Sequence, residues 1–245
     1  MSEIRLQIKD VSKHFGITRA LKHVSFNINK GEIHALIGEN GSGKSTLTNS
    51  LAGIYQKDGG TFILDGKEIH PINQVDANNE GISIIVQELG TLDGLTVAEN
   101  IFLGHEDEFV KLGIKNTAAM NKRATELLKK YGFERIKAAE MIDNYNFEDR
   151  KLVEIVKATY FNPKILVIDE TTTALSGEGR EELYKHMKRI KEEGNTVIFI
   201  SHDLPEVLRL SDTITVLRDG DYIDTVKSSD IDEDGLKKLM VGREV

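Results

Sequence analysis

Residues 38–46 read Gly38-Glu39-Asn40-Gly41-Ser42-Gly43-Lys44-Ser45-Thr46, which satisfies G-x-x-x-x-G-K-[ST] at every fixed position. That spacing is built for phosphate. Glycines let the backbone curl so that successive N–H groups point inward at phosphate oxygens. A helix starting near Lys44 would add the positive end of its dipole to the same anion site. Lys44 would reach the β and γ phosphates of a nucleotide, and the Ser45 hydroxyl would bind Mg²⁺. Far along the chain, Ile165-Leu166-Val167-Ile168 ends in Asp169-Glu170. A carboxylate at the C-terminal edge of a strand is where a phosphate-loop enzyme holds its Mg²⁺, usually through water, which assigns Asp169. Glu170 beside it can orient and polarise a water in line with the γ phosphate. Alone, a glycine-rich turn or an acidic pair is ordinary loop structure; together they point to chemistry on Mg-ATP.

These residues need a scaffold. Ile33 to Ile37, Gly81 to Val86, Ile165 to Ile168, Thr196 to Ile200 and Thr213 to Leu217 are short, nearly continuous apolar runs. Such runs predict strands buried on both faces, as in a parallel sheet covered by helices. Helical patterns over Lys44 to Ala52, Glu178 to Glu193 and Leu204 to Leu210 alternate with them, which predicts an α/β domain. Near the N-terminus, Ile4, Leu6 and Ile8, then Val24, Phe26 and Ile28, alternate with polar residues. With Thr61 to Leu64 before the Asp65-Gly66 turn, they read as short strands. From Glu88 to about Tyr160 the alternation stops. Amphipathic patterns over Met120 to Tyr131 and Lys151 to Tyr160 predict an inserted helical subdomain, and a last helix is expected over Gly235 to Val241. One domain, 1–245, is therefore expected, with residues 1–87 and 161–245 as its core and 88–160 as its helical insertion.

Composition closes off other chemistries. The 245 residues contain no cysteine, which removes disulfides, thiolate zinc sites and cysteine nucleophiles. No two of the seven histidines sit at i, i+4 beside a glutamate, as a zinc protease would need. With 32 basic against 40 acidic residues, the net charge of −8 argues against a nucleic-acid partner. The N-terminus lacks an apolar signal region and no run of about 18 apolar residues occurs, so no membrane insertion is expected. The expectation is a soluble, cytoplasmic chain.

The phosphate loop and the Asp169-Glu170 pair, separated by a helical insertion, resemble an ABC-type ATPase. The resemblance implies the P-loop NTPase fold of that family, α/β with an antiparallel β subdomain and an inserted α-helical subdomain, and it implies further roles. Gln87, after the strand ending at Val86, matches the Q-loop glutamine that senses Mg²⁺ and the γ phosphate. His202 matches the switch histidine on the γ phosphate. Phe15 matches the aromatic that stacks on adenine, although a core aromatic would read the same way. Ala174-Leu175-Ser176 matches the D-loop. The finer resemblance is to the ATPases of ribose- and galactose-type carbohydrate importers. It is carried by GENGSGKSTL (Gly38 to Leu47), Gln87-Glu88-Leu89, LTVAENIFLG (Leu95 to Gly104), Val153-Glu154-Ile155 and Met240-Val241-Gly242-Arg243-Glu244. In that family two ABC modules are fused in one chain about twice this length, and this sequence resembles the N-terminal one. The resemblance implies a second ABC module as partner, membrane permease subunits received near Leu89 to Glu106, a solute-binding protein, and a peripheral place at the inner face of the cell membrane.

One segment departs from the family. The signature L-S-[GI]-G-[EQ] falls on Tyr145-Asn146-Phe147-Glu148-Asp149, with Asn146 at the serine position and Glu148 at the glycine position. In the family, that serine hydroxyl and glycine N–H grip the γ phosphate bound to the opposite module. Like charges ~4 Å apart repel by about 4 kcal/mol at an effective dielectric of about 20. Glu148 therefore predicts asymmetry: this chain's intact phosphate loop can form a competent site with a partner's signature, whereas the site built on this chain's own signature should bind nucleotide without efficient hydrolysis. A smaller departure is Thr171, where the family has proline. The competing expectation is a soluble ABC ATPase in cofactor assembly or another non-transport role. A nucleotide-binding regulator without turnover is disfavoured by Glu170.

Overall fold

The computed structural model describes residues 3–242 apart from 87, 112 and 161. In chain order, its first half runs β1 (Ile4–Phe15), β2 (Thr18–Asn29), β3 (Ile33–Ile37), α1 (Lys44–Leu51), β4 (Gly59–Leu64), β5 (Lys67–Ile69), α2 (Gln74–Glu80) and β6 (Ile82–Ile85). Then follow α3 (Val97–Ile101), β7 (Val110–Lys111), β8 (Ile114–Lys115), α4 (Thr117–Lys130) and α5 (Phe147–Tyr160). The last third holds β9 (Ile165–Asp169), α6 (Gly177–Glu192), β10 (Thr196–Ile200), α7 (Leu204–Leu210), β11 (Thr213–Arg218), β12 (Asp221–Lys227) and α8 (Glu233–Val241). The chain groups into two compact units. The first is Met1–Ile84, Pro163–Glu170 and Met187–Val245; the second is Ile85–Asn162 and Thr171–His186.

The first unit carries the α/β layers that the apolar runs predict. Its larger sheet has the order β12-β11-β3-β10-β9-β6, with β3, β10 and β9 parallel. All five residues of β3, β9 and β10 are buried, as strands covered on both faces must be. A second, antiparallel sheet has the order β2-β1-β4-β5. In it Leu6, Ile8, Val24, Ile28, Phe62 and Leu64 share one core with Leu36, Leu47 and Leu51. Phe62 is fully buried there, and truncating such a ring typically costs about 3–5 kcal/mol.

The second unit is mainly helical, with β7 and β8 its only short hairpin among the described residues. α4 buries Met120, Ala124, Leu127 and Leu128 at helical spacing, and Asn116 caps it by accepting the Ala119 N–H. α3 opens with a capping box. Thr96 Oγ accepts the Glu99 N–H at 3.2 Å, and Glu99 Oε2 accepts the Thr96 N–H at 3.0 Å. The Thr96 N–H, together with Lys115 Nζ at 2.9 Å, holds the Glu99 carboxyl down at about 2. Thr96→Ala is expected to lower stability by about 1 kcal/mol at neutral pH, read as a shift of the urea midpoint. A depressed carboxyl stabilises above its ordinary value and loses that contribution as pH falls through the folded one. The stabilisation tied to Glu99 should therefore decline between pH 4.5 and about 2, so that Glu99→Gln and wild type converge in acid.

Candidate functional site

β3 ends at Ile37 and α1 begins at Lys44, so residues 38–43 form the loop between a fully buried strand and a helix start. Two glycines are required by shape. Gly38 has φ +155°, and a Cβ there would run into the Leu217 carbonyl and the Ser42 side chain. Gly43 has φ +105°, and a Cβ there would sit 2.7 Å from the Ala20 carbonyl. The loop is buttressed from behind: the Gly220 N–H donates to the Ser42 carbonyl at 3.1 Å. Glu39, Asn40 and Gly41 are exposed at the loop's tip, while Ser45 and Thr46 are half-buried in the first turn of α1.

Three observations fit this loop to a phosphate chain. The N-terminus of α1 has no side-chain cap, so its first N–H groups and its dipole face the loop's interior. Ser42 Oγ is buried with no hydrogen-bond partner among the described residues. Lys44 is buried, and its Nζ donates to the carbonyls of Gly38 at 2.8 Å and Glu39 at 3.1 Å. Burial pulls the Lys44 ammonium below its ordinary range, while Glu170 and Asp169 work to keep it charged.

The acidic pair stands at the end of β9. Asp169 is buried, and burial raises its carboxyl while a hydrogen bond from Ser45 opposes the rise. A hydroxyl and a carboxylate brought together in this way form an oxygen donor set suited to Mg²⁺, so the residues present fit that ion. Glu170 adopts φ +46°, uncommon for a side-chain residue, and its N–H donates to the Ile200 carbonyl at 3.1 Å. His202 follows β10, and its Nε2 lies 2.6 Å from Glu170 Oε1. The sequence-predicted Lys44, Ser45, Asp169, Glu170 and His202 thus meet around one loop. Phe15 closes β1 with 44% of its surface exposed, which is not the place of a core aromatic. Tyr55 packs edge-on against it at 5.2 Å, and Lys13 Nζ stands 5.3 Å from its ring centre. Tyr55 carries no motif and was not singled out from sequence. Gln87 lies outside the described residues, as do Arg243 and Glu244.

In the second unit the signature segment runs into α5. Asn146 Oδ1 accepts the Asp149 N–H at 2.8 Å, so this side chain caps its own helix. Glu148 turns to the D-loop segment of the same chain. Its Oε1 accepts from Ser176 Oγ at 2.7 Å, and Ser176 Oγ in turn accepts the Gly179 N–H at 3.1 Å. Phe133, Arg135, Asn146, Glu148, Ser176 and Glu182 border a cavity of about 450 Å³ beside this contact.

Comparison with known proteins decides the family. The model described as "ABC transporter" matches residues 21–173. The chain belongs to the ABC transporter family. This ATP-binding domain is 41% identical over 240 residues to the ribose import ATP-binding protein RbsA of Shouchella clausii, covering 98% of this chain and 48% of that protein. It is 37% identical to the galactofuranose transporter ATP-binding protein YtfR of Escherichia coli K12, covering 98% and 47%. The domain thus spans about half the length of the curated relatives it matches. Among solved structures, the ADP conformation of MJ1267, an ATP-binding cassette of an ABC transporter, aligns with a TM-score of 0.80 at 27% identity, covering 100% of this chain and 97% of that one. The dimeric post-hydrolysis state of MJ0796, bound to ADP and Pi, gives 0.77 at 28% identity, covering 91% and 98%. Among the described residues, no helix is long and apolar enough to cross a membrane.

Proposed function

We propose that this domain binds and hydrolyses Mg-ATP to drive an importer for a monosaccharide or related small solute. The observation that carries the reading is the convergence of Lys44, Ser45, Asp169, Glu170 and His202 on an uncapped helix start. The N–H groups of residues 38–46 and Lys44 Nζ hold the β and γ phosphates. Ser45 and, through water, Asp169 and Gln87 would hold Mg²⁺, which supplies charge neutralisation between those phosphates. Glu170 accepts a proton from the water that attacks the γ phosphorus; the bond from that phosphorus to the β-phosphate bridging oxygen breaks, and ADP leaves. His202 keeps Glu170 aimed and meets the γ phosphate. Phe15, with Tyr55 at its edge, offers a stacking surface for adenine.

The import reading is supported by the names of the relatives, and the tandem reading by their length, about twice that of this chain. The partners are a second ABC module, membrane permease subunits and, through these, a solute-binding protein. The domain works as one ABC ATPase unit at the inner face of the cell membrane, residues 1–87 and 161–245 forming its nucleotide-binding core and 88–160 its helical subdomain. Its own signature is degenerate, so one composite site of the pair turns over and the other binds without efficient hydrolysis. The isolated chain should therefore bind Mg-ATP, hydrolyse it slowly and stay monomeric. Asn146→Ser with Glu148→Gly should produce ATP-dependent dimers and faster turnover, read by sedimentation and steady-state ATPase rates. Brisk, cooperative hydrolysis by the unmodified chain would overturn the asymmetry.

A further inference from the structure

Lys151 and Glu154 sit one turn apart on α5, exposed to 0% and 5% respectively. Burying such charges is expensive unless every one is paired and hydrogen-bonded. Here they are. Lys151 Nζ donates to the Val86 carbonyl at 2.7 Å, to the Glu88 carbonyl, and to Glu154 Oε2 at 3.0 Å. That uses all three ammonium donors. Glu154 Oε1 accepts the Gly90 N–H at 2.6 Å. Every bond that these contacts carry away from the pair ends on one short stretch, residues 86–90, and on both sides of position 87.

A pair that merely filled space could be replaced by two apolar side chains at little cost. This one fixes backbone carbonyls and an amide that no regular element satisfies. We propose that Lys151 and Glu154 are positioning residues for Gln87, clamping the backbone on either side of it to the helix that follows the signature. The proposal rests on the reading of Gln87 as the residue that meets Mg²⁺ and the γ phosphate. Helix α5 begins inside the signature, so the clamp ties the signature and the glutamine segment to one rigid rod.

The test compares wild type, Gln87→Ala, and Lys151→Met with Glu154→Leu, a pairing that leaves no lone buried charge. Affinity for a non-hydrolysable ATP analogue is measured with Mg²⁺ and with chelator, and thermal unfolding confirms that each form is folded. In the paired variant the Mg²⁺-dependent gain in affinity should fall by about tenfold, the size expected for one misplaced contact to a charged group. Affinity in chelator should not change. Gln87→Ala should show the same loss, and combining the two should add nothing further. Hydrogen exchange at the Gly90 amide should speed up in the paired variant, and Lys151→Arg should restore most of the Mg²⁺ gain. If the paired variant fails to fold, Lys151→Gln replaces it; its shorter amide cannot span both carbonyls, and a full Mg²⁺ gain in that variant would overturn the clamp. If Gln87→Ala loses the gain and the paired variant keeps it, the positioning role is refuted while the reading of Gln87 stands. If Gln87→Ala keeps the gain, the reading of Gln87 fails first and the clamp falls with it.

Discussion

Lys44→Ala is expected to weaken ATP binding by about 100-fold or more. The ammonium is buried inside its own loop, and in the free protein it is satisfied by the Gly38 and Glu39 carbonyls. When phosphates enter, those neutral partners give way to anionic ones, which adds about 1.5–3 kcal/mol for each charge-assisted bond. With two phosphates in reach, the loss on truncation compounds. Asp169 and Glu170 sharpen it further, because both act on the Lys44 charge and would be left uncompensated beside incoming phosphates. Calorimetric titration with Mg-ATP reads the effect directly. Unchanged affinity in Lys44→Ala would remove the phosphate loop from the mechanism.

Glu170→Gln should leave binding intact and reduce turnover by about 10²–10⁴-fold, the usual contribution of a positioned base. The amide keeps the volume and the left-handed backbone position of Glu170, and it still offers an oxygen to His202 Nε2, now 2.6 Å from Oε1. It cannot take a proton from water. The measurement belongs in the form carrying Asn146→Ser and Glu148→Gly, where a complete composite site gives a rate large enough to lose. Wild-type turnover in Glu170→Gln would show that the base lies elsewhere.

Much of this architecture was legible because burial on both faces leaves an unmistakable apolar run. β3, β9 and β10 were visible for that reason, and so was the strand–loop–helix context of Lys44. α2 was not, since only Ala77 of its seven residues is buried and no periodicity survives. β12 was missed because no residue in it is fully buried. α5 begins at Phe147 rather than near Lys151, because its first turn buries no residue and is started by the Asn146 cap instead of by a buried stripe. Motif spacing named the loop and the acidic pair, and the resemblance to the family named His202. It could not name Tyr55, whose meeting with Phe15 depends on how two distant segments fold together.

The hydrogen bond between Glu148 and Ser176 makes the divergence of this signature hard to undo one residue at a time. Replacing Glu148 by glycine removes a carboxylate and at the same moment releases the serine that starts α6. Replacing Ser176 alone would strand a carboxylate against the Gly179 backbone. The two positions should therefore be epistatic, with the paired change differing from the sum of the single changes by about 0.5–3 kcal/mol. Any single-step path from Glu148 to glycine would therefore cross a stability valley unless position 176 changed with it.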